Sequence, residues 1–287
     1  MPPAVIAAVL GAALLHATWN ALVKARGAGG AASDPLPATV LVMLGGALVS
    51  ALLLPFMRAP APASWPFIAA SSLTQFAYYL LLIEAYRSGD MSHAYPLMRG
   101  SAPLLVALAS GPLTGEALRP GQWLALLLIC GGVLVMGLGG RSGAGAGQRR
   151  STVFALLTAC VIALYTLIDG AGVRRSGAPA AYTMWIFLLS GCALAAWRVR
   201  AGIGTLARTA RARPLLLPVG GVSTLGSYGV ALWAMTLAPV AAVAALRETS
   251  ILFATAIAAL VLRERVGRAR LLAVGLIACG AAAMRLA

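Results

Sequence analysis

Arg99, Asp169, Arg247 and Glu248 are ionisable residues inside long apolar runs, and a fifth, Glu84, lies near the end of another such run. A charge held in lipid is costly unless it is paired or faces water, so residues of this kind mark polar sites. Two buried arginines offer anion coordination, because a planar guanidinium meets a carboxylate, phosphate or phosphonate through two parallel hydrogen bonds. A carboxyl group in surroundings of low dielectric offers reversible protonation. Glu248, Glu84 and Asp169 are therefore the candidates for coupling to protons.

Each residue also has a plainer reading. Arg99 and Arg247 can be halves of a structural ion pair with Glu248 or Glu84. Glu248 points about 100° away from Arg247 around a helix, which lets it face Arg99 across a symmetry axis as proton carrier or as simple neutraliser. Glu84 and Asp169 fall in the last turn or so of their spans, where snorkelling to the interface, or pairing with Arg87 and Arg174, accounts for them. His16 and Asn20 share one face at i and i+4, suited to substrate, to a proton relay or to helix–helix hydrogen bonds. Tyr79, Tyr165, Tyr228 and Trp233 are the aromatic candidates for lining a cavity, although membrane interfaces attract such residues as well. Pro96 and Pro103 flank Arg99 and can kink its helix for gating, or leave a static bend. Glu116 and Glu264 precede the last span of each half, where helix N-terminal capping explains them.

The elements that must position these side chains are helices. Of the 287 residues 61% are hydrophobic, 10% are charged, and the mean hydropathy is +0.90. A spanning helix needs roughly 20 apolar residues, and the chain supplies ten such stretches: about 3–23, 37–57, 66–87, 93–111, 120–138, 151–171, 179–197, 214–235, 240–262 and 268–286. Period-2 alternation is missing, which argues against a membrane barrel. The net charge of +15 sits in short loops, where membrane topology and anionic lipid explain it without nucleic acid. Cys130, Cys160, Cys192 and Cys279 fall within apolar segments at no metal-ligand spacing, and read as small buried hydrophobes without a disulfide. Met1-Pro2-Pro3-Ala4 lacks a basic leader, so the first apolar run reads as a retained helix.

The chain repeats itself. A shift of 148 residues places Arg99 on Arg247, Ser101 on Thr249, Glu116 on Glu264, Gly132 on Gly280 and Met136 on Met284. A shift of 149 places His16 on Tyr165, Asn20 on Asp169 and Tyr79 on Tyr228. Residues 139–150, rich in Gly and Arg, read as a linker between a first half, 1–138, and a second, 151–287. Five spans per half is an odd number, so the second half enters the membrane from the opposite side. Inverted repeats of this kind build secondary transporters, with substrate bound near the midplane between the repeats. Arg99 and Arg247 each lie about seven residues into a span, roughly 10 Å deep from opposite faces of a core roughly 30 Å thick. Loops on one side carry 15 Lys and Arg, against five on the side of both termini, which by the positive-inside rule places the termini outside the cytoplasm.

Several stretches resemble the drug/metabolite transporter superfamily, in particular its EamA-type members. They are His16-Ala17-Thr18-Trp19-Asn20 with Lys24, then Leu113-Thr114-Gly115-Glu116 with Gly121-Gln122-Trp123 and Gly131-Gly132-Val133, and the second copy Leu262-Arg263-Glu264 with Gly275 and Gly280. Together with Thr166-Leu167-Ile168-Asp169-Gly170 and Gly172-Val173-Arg174, the opening stretch is similar to a branch associated with phosphonate utilisation. The resemblance spans the chain. It implies an all-α, ten-helix carrier of a small polar metabolite working by alternating access, driven by protons or another gradient. It also implies cytoplasmic termini, against the charge count, so orientation stays open.

No DDxxD, HExxH, GxSxG or Walker pattern occurs, so the chain does not read as an enzyme and needs no cofactor or metal. The expected partners are a small-molecule substrate and the lipid bilayer of a cell inner membrane, in a monomer or homodimer. The alternatives are a multidrug exporter, which favours acid-rich walls, a flippase for a lipid-linked substrate and, more remotely, a membrane-embedded enzyme or assembly protein.

Overall fold

A chain this apolar must satisfy every backbone amide within its own segment once in lipid, and helices do so. The structure, a computed structural model, describes residues 1–24, 35–88, 91–138, 146–200, 203–260 and 267–287. Among the described residues there is no strand. The first half supplies α1 (Pro3–Lys24), α2 (Pro35–Leu53), α3 (Trp65–Ser88), α4 (Met91–Thr114) and α5 (Pro120–Leu138). The second supplies α6 (Ala146–Ser176), α7 (Pro179–Arg200), the short α8 (Ile203–Ala212), α9 (Gly221–Met235) entered through a π turn at Leu216–Gly220, α10 (Val240–Arg247), α11 (Ser250–Leu260) and α12 (Arg268–Leu286). The π turn joins α9, and α10 joins α11, so ten spans result. Among the described residues nine of them are long and apolar enough to cross a membrane. The remaining one, α4, has the length but carries His93, Arg99 and the prolines Pro96, Pro103 and Pro112.

Four details differ from the sequence reading. The ninth span is not one helix: it breaks at Glu248–Thr249, where the amides of Glu248 and Thr249 reach back only three residues, to Ala245 O and Leu246 O. The segment read as a linker is helical from Ala146 onward. An extra helix, α8, lies between α7 and the π turn, with Leu206 buried and Arg208 and Arg211 exposed. The cysteines also sort differently: only Cys130 is buried, while Cys160, Cys192 and Cys279 are exposed, free thiols on the outer surface.

The inverted repeat is visible in packing. Gly132 of α5 stands where a Cβ would meet Ile277 Cγ1 at 2.8 Å and Ala273 O at 2.9 Å. Gly280 of α12 stands where a Cβ would meet Ile129 Cγ1 at 2.7 Å and Ala125 O at 2.8 Å. The 148-residue shift exchanges the two sets of contacts, so a pseudo-twofold axis runs between α5 and α12. Without side chains on the glycines the two backbones approach closely, which is how helices associate in lipid. The halves also interleave. α6 packs on α3 and α4 of the first half, while α1 packs on α9, α10 and α11 of the second. Each half thus lends its first helix to the other, and the polar residues of α1, α4, α6, α9 and α10 converge on the centre.

Candidate functional site

Arg99 reaches from the middle of α4 to Glu248 at the break after α10. Its Nη2 lies 3.0 Å from Glu248 Oε1, and the residues are 9% and 3% exposed. Arg247, the repeat partner of Arg99, does not share this contact. Its guanidinium instead lies over the Tyr228 ring, 5.0 Å from the centroid, a cation–π arrangement. Arg99, Arg247 and Glu248 line a cleft with Pro103, Tyr165 and Thr166, and the cleft has room for about one water-sized guest. Arg99 Nε, Arg247 Nε and Glu248 Oε2 are buried without a hydrogen-bond partner among the described residues, and Arg99 Nη2, although ion-paired with Glu248 Oε1, makes no hydrogen bond of good geometry there either. Buried donors and acceptors are normally satisfied, so both guanidiniums and the Glu248 carboxylate keep unmet hydrogen-bonding capacity beside the cleft.

Beyond Tyr228 lies a second acid. Asp169 is wholly buried on α6, one turn past Tyr165 and Thr166. It accepts from the Tyr228 hydroxyl at 2.5 Å, the Tyr182 hydroxyl at 3.1 Å and Gln75 Nε2 at 3.4 Å. One tyrosine thus carries an arginine on its face and an acid at its hydroxyl.

The geometry is that of a polar centre enclosed by two related helical repeats. The profile of the EamA-like transporter family matches residues 3–138 and again residues 150–286. The chain belongs to the EamA-like transporter family. It is therefore a multi-pass membrane transporter of the drug/metabolite type. A solved structure titled only "Crystal structure of protein" is 19% identical, with a TM-score of 0.77 over 100% of this chain and 98% of that one, and it supports the fold alone. A comparison with curated proteins gives no match.

The other sequence candidates take different places in this EamA-like transporter. Asp169 does not snorkel or pair with Arg174: α6 runs on to Ser176, so Asp169 lies well inside the helix. Glu84 pairs with Arg150 at 2.6 Å in a partly exposed position remote from the cleft, and the side chain of Arg87, its expected partner, lies outside the described residues. Tyr165 lines the cleft, whereas Tyr79 turns away and donates to Met43 Sδ at 2.8 Å. Tyr78, which the sequence reading passed over, stacks edge-on against Tyr165 at 5.9 Å, continuing an aromatic chain through Tyr228 to Phe187. Trp233 is 39% exposed on the outer face of α9 and does not reach the cleft. His16 accepts from Trp19 Nε1 at 3.3 Å, and Asn20 donates to His16 O at 2.8 Å, so both are engaged within α1. Pro103 lines the cleft and Pro96 packs near Gly137, but α4 stays one continuous helix, and the break falls in the partner span, which has no proline there.

Glu116 does cap a helix, although not α5, whose entry is capped by Gln122 accepting from Arg119 N at 2.9 Å. Glu116 Oε2 accepts from Val240 N at 2.9 Å, at the start of α10 in the other half. Its Oε1 pairs with Arg174 at 2.5 Å, and Arg174 also donates to Met235 O at 2.8 Å and Ala238 O at 3.1 Å. This cluster ties the α4–α5 loop to the ends of α6, α9 and α10. Neither the helix it would cap nor this partner is readable from sequence spacing. Glu264, its repeat partner, lies outside the described residues.

Proposed function

We propose that this EamA-like transporter moves a small anionic or zwitterionic metabolite through the cleft between Arg99 and Arg247 by alternating access, in a cell inner membrane. One observation carries the reading. The repeat gives two arginines, but Glu248 has Gly100 as its counterpart, so there is one carboxylate for two guanidiniums and Arg99 holds it. Among the described residues Arg247 then lies against an aromatic face, and its Nε has no hydrogen-bond partner there. An acidic group bound across Arg99 and Arg247 meets the unmet donors of both, with the bidentate geometry that guanidinium favours. A ligand that also carries an N–H satisfies Glu248 Oε2 as well. These side chains all come from one chain, so a monomer suffices.

The test is thermal stabilisation of the purified protein by L-glutamate, 2-aminoethylphosphonate, inorganic phosphate and a hydrophobic cation, with Arg99→Ala and Arg247→Ala alongside. Stabilisation by an anion or zwitterion, lost in both variants, is the expected result. Stabilisation confined to the hydrophobic cation, or surviving both substitutions, makes the arginines structural and favours a drug exporter.

A further inference from the structure

We infer that Asp169 is a proton-binding site separate from the substrate cleft and linked to it through Tyr228, so that an incoming anion is matched by a proton on Asp169. This rests on the anion reading given above.

Three observations carry it. The first is what surrounds the acid. Asp169 is wholly buried, yet its partners are neutral: the hydroxyls of Tyr182, Tyr228 and Ser71 and the amide of Gln75. Among the described residues no cation contacts it, whereas Glu248 is held by Arg99, Glu116 by Arg174 and Glu84 by Arg150. A hydroxyl both donates and accepts, so Tyr182 and Tyr228 can donate to the ionised carboxylate or accept from the protonated acid after a rotation of the O–H bond. An acid serving only as a neutraliser has no use for partners that fit both of its states.

The second is charge balance. Around the cleft and Tyr228 the charged side chains are Arg99 and Arg247 against Glu248 and Asp169, a set that is neutral with both acids ionised; the other buried arginine, Arg198, lies near the end of α7. A monoanion entering the cleft leaves one uncompensated negative charge in a low dielectric, a costly state. One proton on Asp169 restores neutrality. The proton comes from water on the side where substrate enters and leaves to water on the other side; no covalent bond is made or broken.

The third is the connection. Tyr228 holds Arg247 on its ring face and Asp169 at its hydroxyl, so a ligand that draws Arg247 off the ring also moves the strongest donor to the acid. Tyr165 and Thr166, one turn earlier on α6, line the cleft and lead toward Asp169. Tyr228 of α9 and Tyr182 of α7 are the titratable groups that touch it; the elements packed around it also carry Tyr78, Tyr79 and Glu84 (α3), His93, Tyr95 and Arg99 (α4), Arg198 (α7), Arg247 and Glu248 (end of α10), and Arg149, Arg150, Tyr165, Arg174 and Arg175 of α6 itself.

The experiment uses the full chain in liposomes that enclose a pH-sensitive dye, with the membrane potential clamped by potassium and valinomycin. L-Glutamate, 2-aminoethylphosphonate and inorganic phosphate are added outside, each labelled for uptake and exchange. The expected result is that a probe which stabilises the wild type also acidifies the lumen as it enters. In Asp169→Asn the acidification is lost and the exchange that remains no longer responds to pH, and Asp169→Glu restores both. Where the asparagine variant does not fold, Tyr182→Phe takes its place. It removes one hydroxyl from the carboxyl without touching the cleft, and it shifts the pH of half-maximal transport. Uptake without proton movement, proton movement undiminished in Asp169→Asn, or an unmoved profile in Tyr182→Phe overturns the proton site and leaves the anion reading standing. No stabilisation by any of the three probes overturns both.

Discussion

Replacing Glu248 by Gln should destabilise the empty protein and, at the same time, tighten its hold on a simple anion. The Arg99–Glu248 contact is 3.0 Å long and almost fully buried. At an effective dielectric of about 20, two unit charges at that distance attract by roughly 5 kcal/mol. Desolvation of both groups offsets much of this, and removing one partner of a buried pair costs about 3–5 kcal/mol because the other charge is stranded. The cleft lets water reach Arg99, which points to the low end, about 3 kcal/mol. With an unfolding entropy of roughly 2 cal/mol/K per residue over 287 residues, the melting temperature should fall by on the order of 5 °C. Binding moves the other way. An anion about 8 Å from Glu248 is repelled by roughly 2 kcal/mol at the same dielectric, so its removal should tighten phosphate binding about 30-fold. A zwitterion whose amine uses Glu248 Oε2 gains nothing. The assay is a thermal-shift titration of wild type, Glu248→Gln, Arg99→Gln and the double variant. The double variant should cost less than the singles combined, by about 1–3 kcal/mol. Strictly additive effects, or Glu248→Gln melting with the wild type, would refute the pairing argument.

Other consequences are as concrete. Gly132→Val and Gly280→Val each drive a side chain into the partner helix at under 3 Å, so each should cost about 1–3 kcal/mol, and by similar amounts, in thermal unfolding. Arg174→Ala strips a partner from Glu116 and from two carbonyls, and should lower stability by about 1–3 kcal/mol; Glu116→Gln, which keeps an acceptor for Val240 N, should cost less in the same assay. Cys160, Cys192 and Cys279 should react with a lipid-soluble maleimide far faster than Cys130, as counted by intact mass.

The ten spans are legible in the sequence because lipid demands long apolar helices, and length and hydropathy report them directly. The repeat is legible because charged and aromatic residues recur where chance apolar matches do not. Arg99, Arg247 and Glu248 stand out for the same reason. The particular pairings do not. Whether Arg247 meets Glu248, Glu84 or a ring depends on where the helix breaks, and no proline or glycine announces the break at Glu248–Thr249. Tyr78 and Tyr79 are indistinguishable as letters, yet adjacent positions on a helix point about 100° apart, and only the packing of α3 on α6 decides which one meets Tyr165. Trp233 reads as a cavity aromatic in an apolar span, but its outward side follows from how α9 sits on α1. The depth of Asp169 turns on two further turns of α6, which the polar tail Arg174-Arg175-Ser176 conceals.

The crossed-over first helix has a consequence for biosynthesis. α1 leaves the ribosome first, yet the helices that cover it are among the last made: Ser227 donates to Ala12 O across 215 residues, and Arg213 donates to Val23 O across 190. Until then α1 lacks the helices it packs on most, α9 and α11. Contacts so distant in sequence form slowly and late. A chain stopped after α7 would consequently carry a first helix, bearing His16 and Asn20, without its main packing partners, which makes the insertion machinery and quality control, rather than the finished bundle, the stage at which errors in α9 to α11 are first felt.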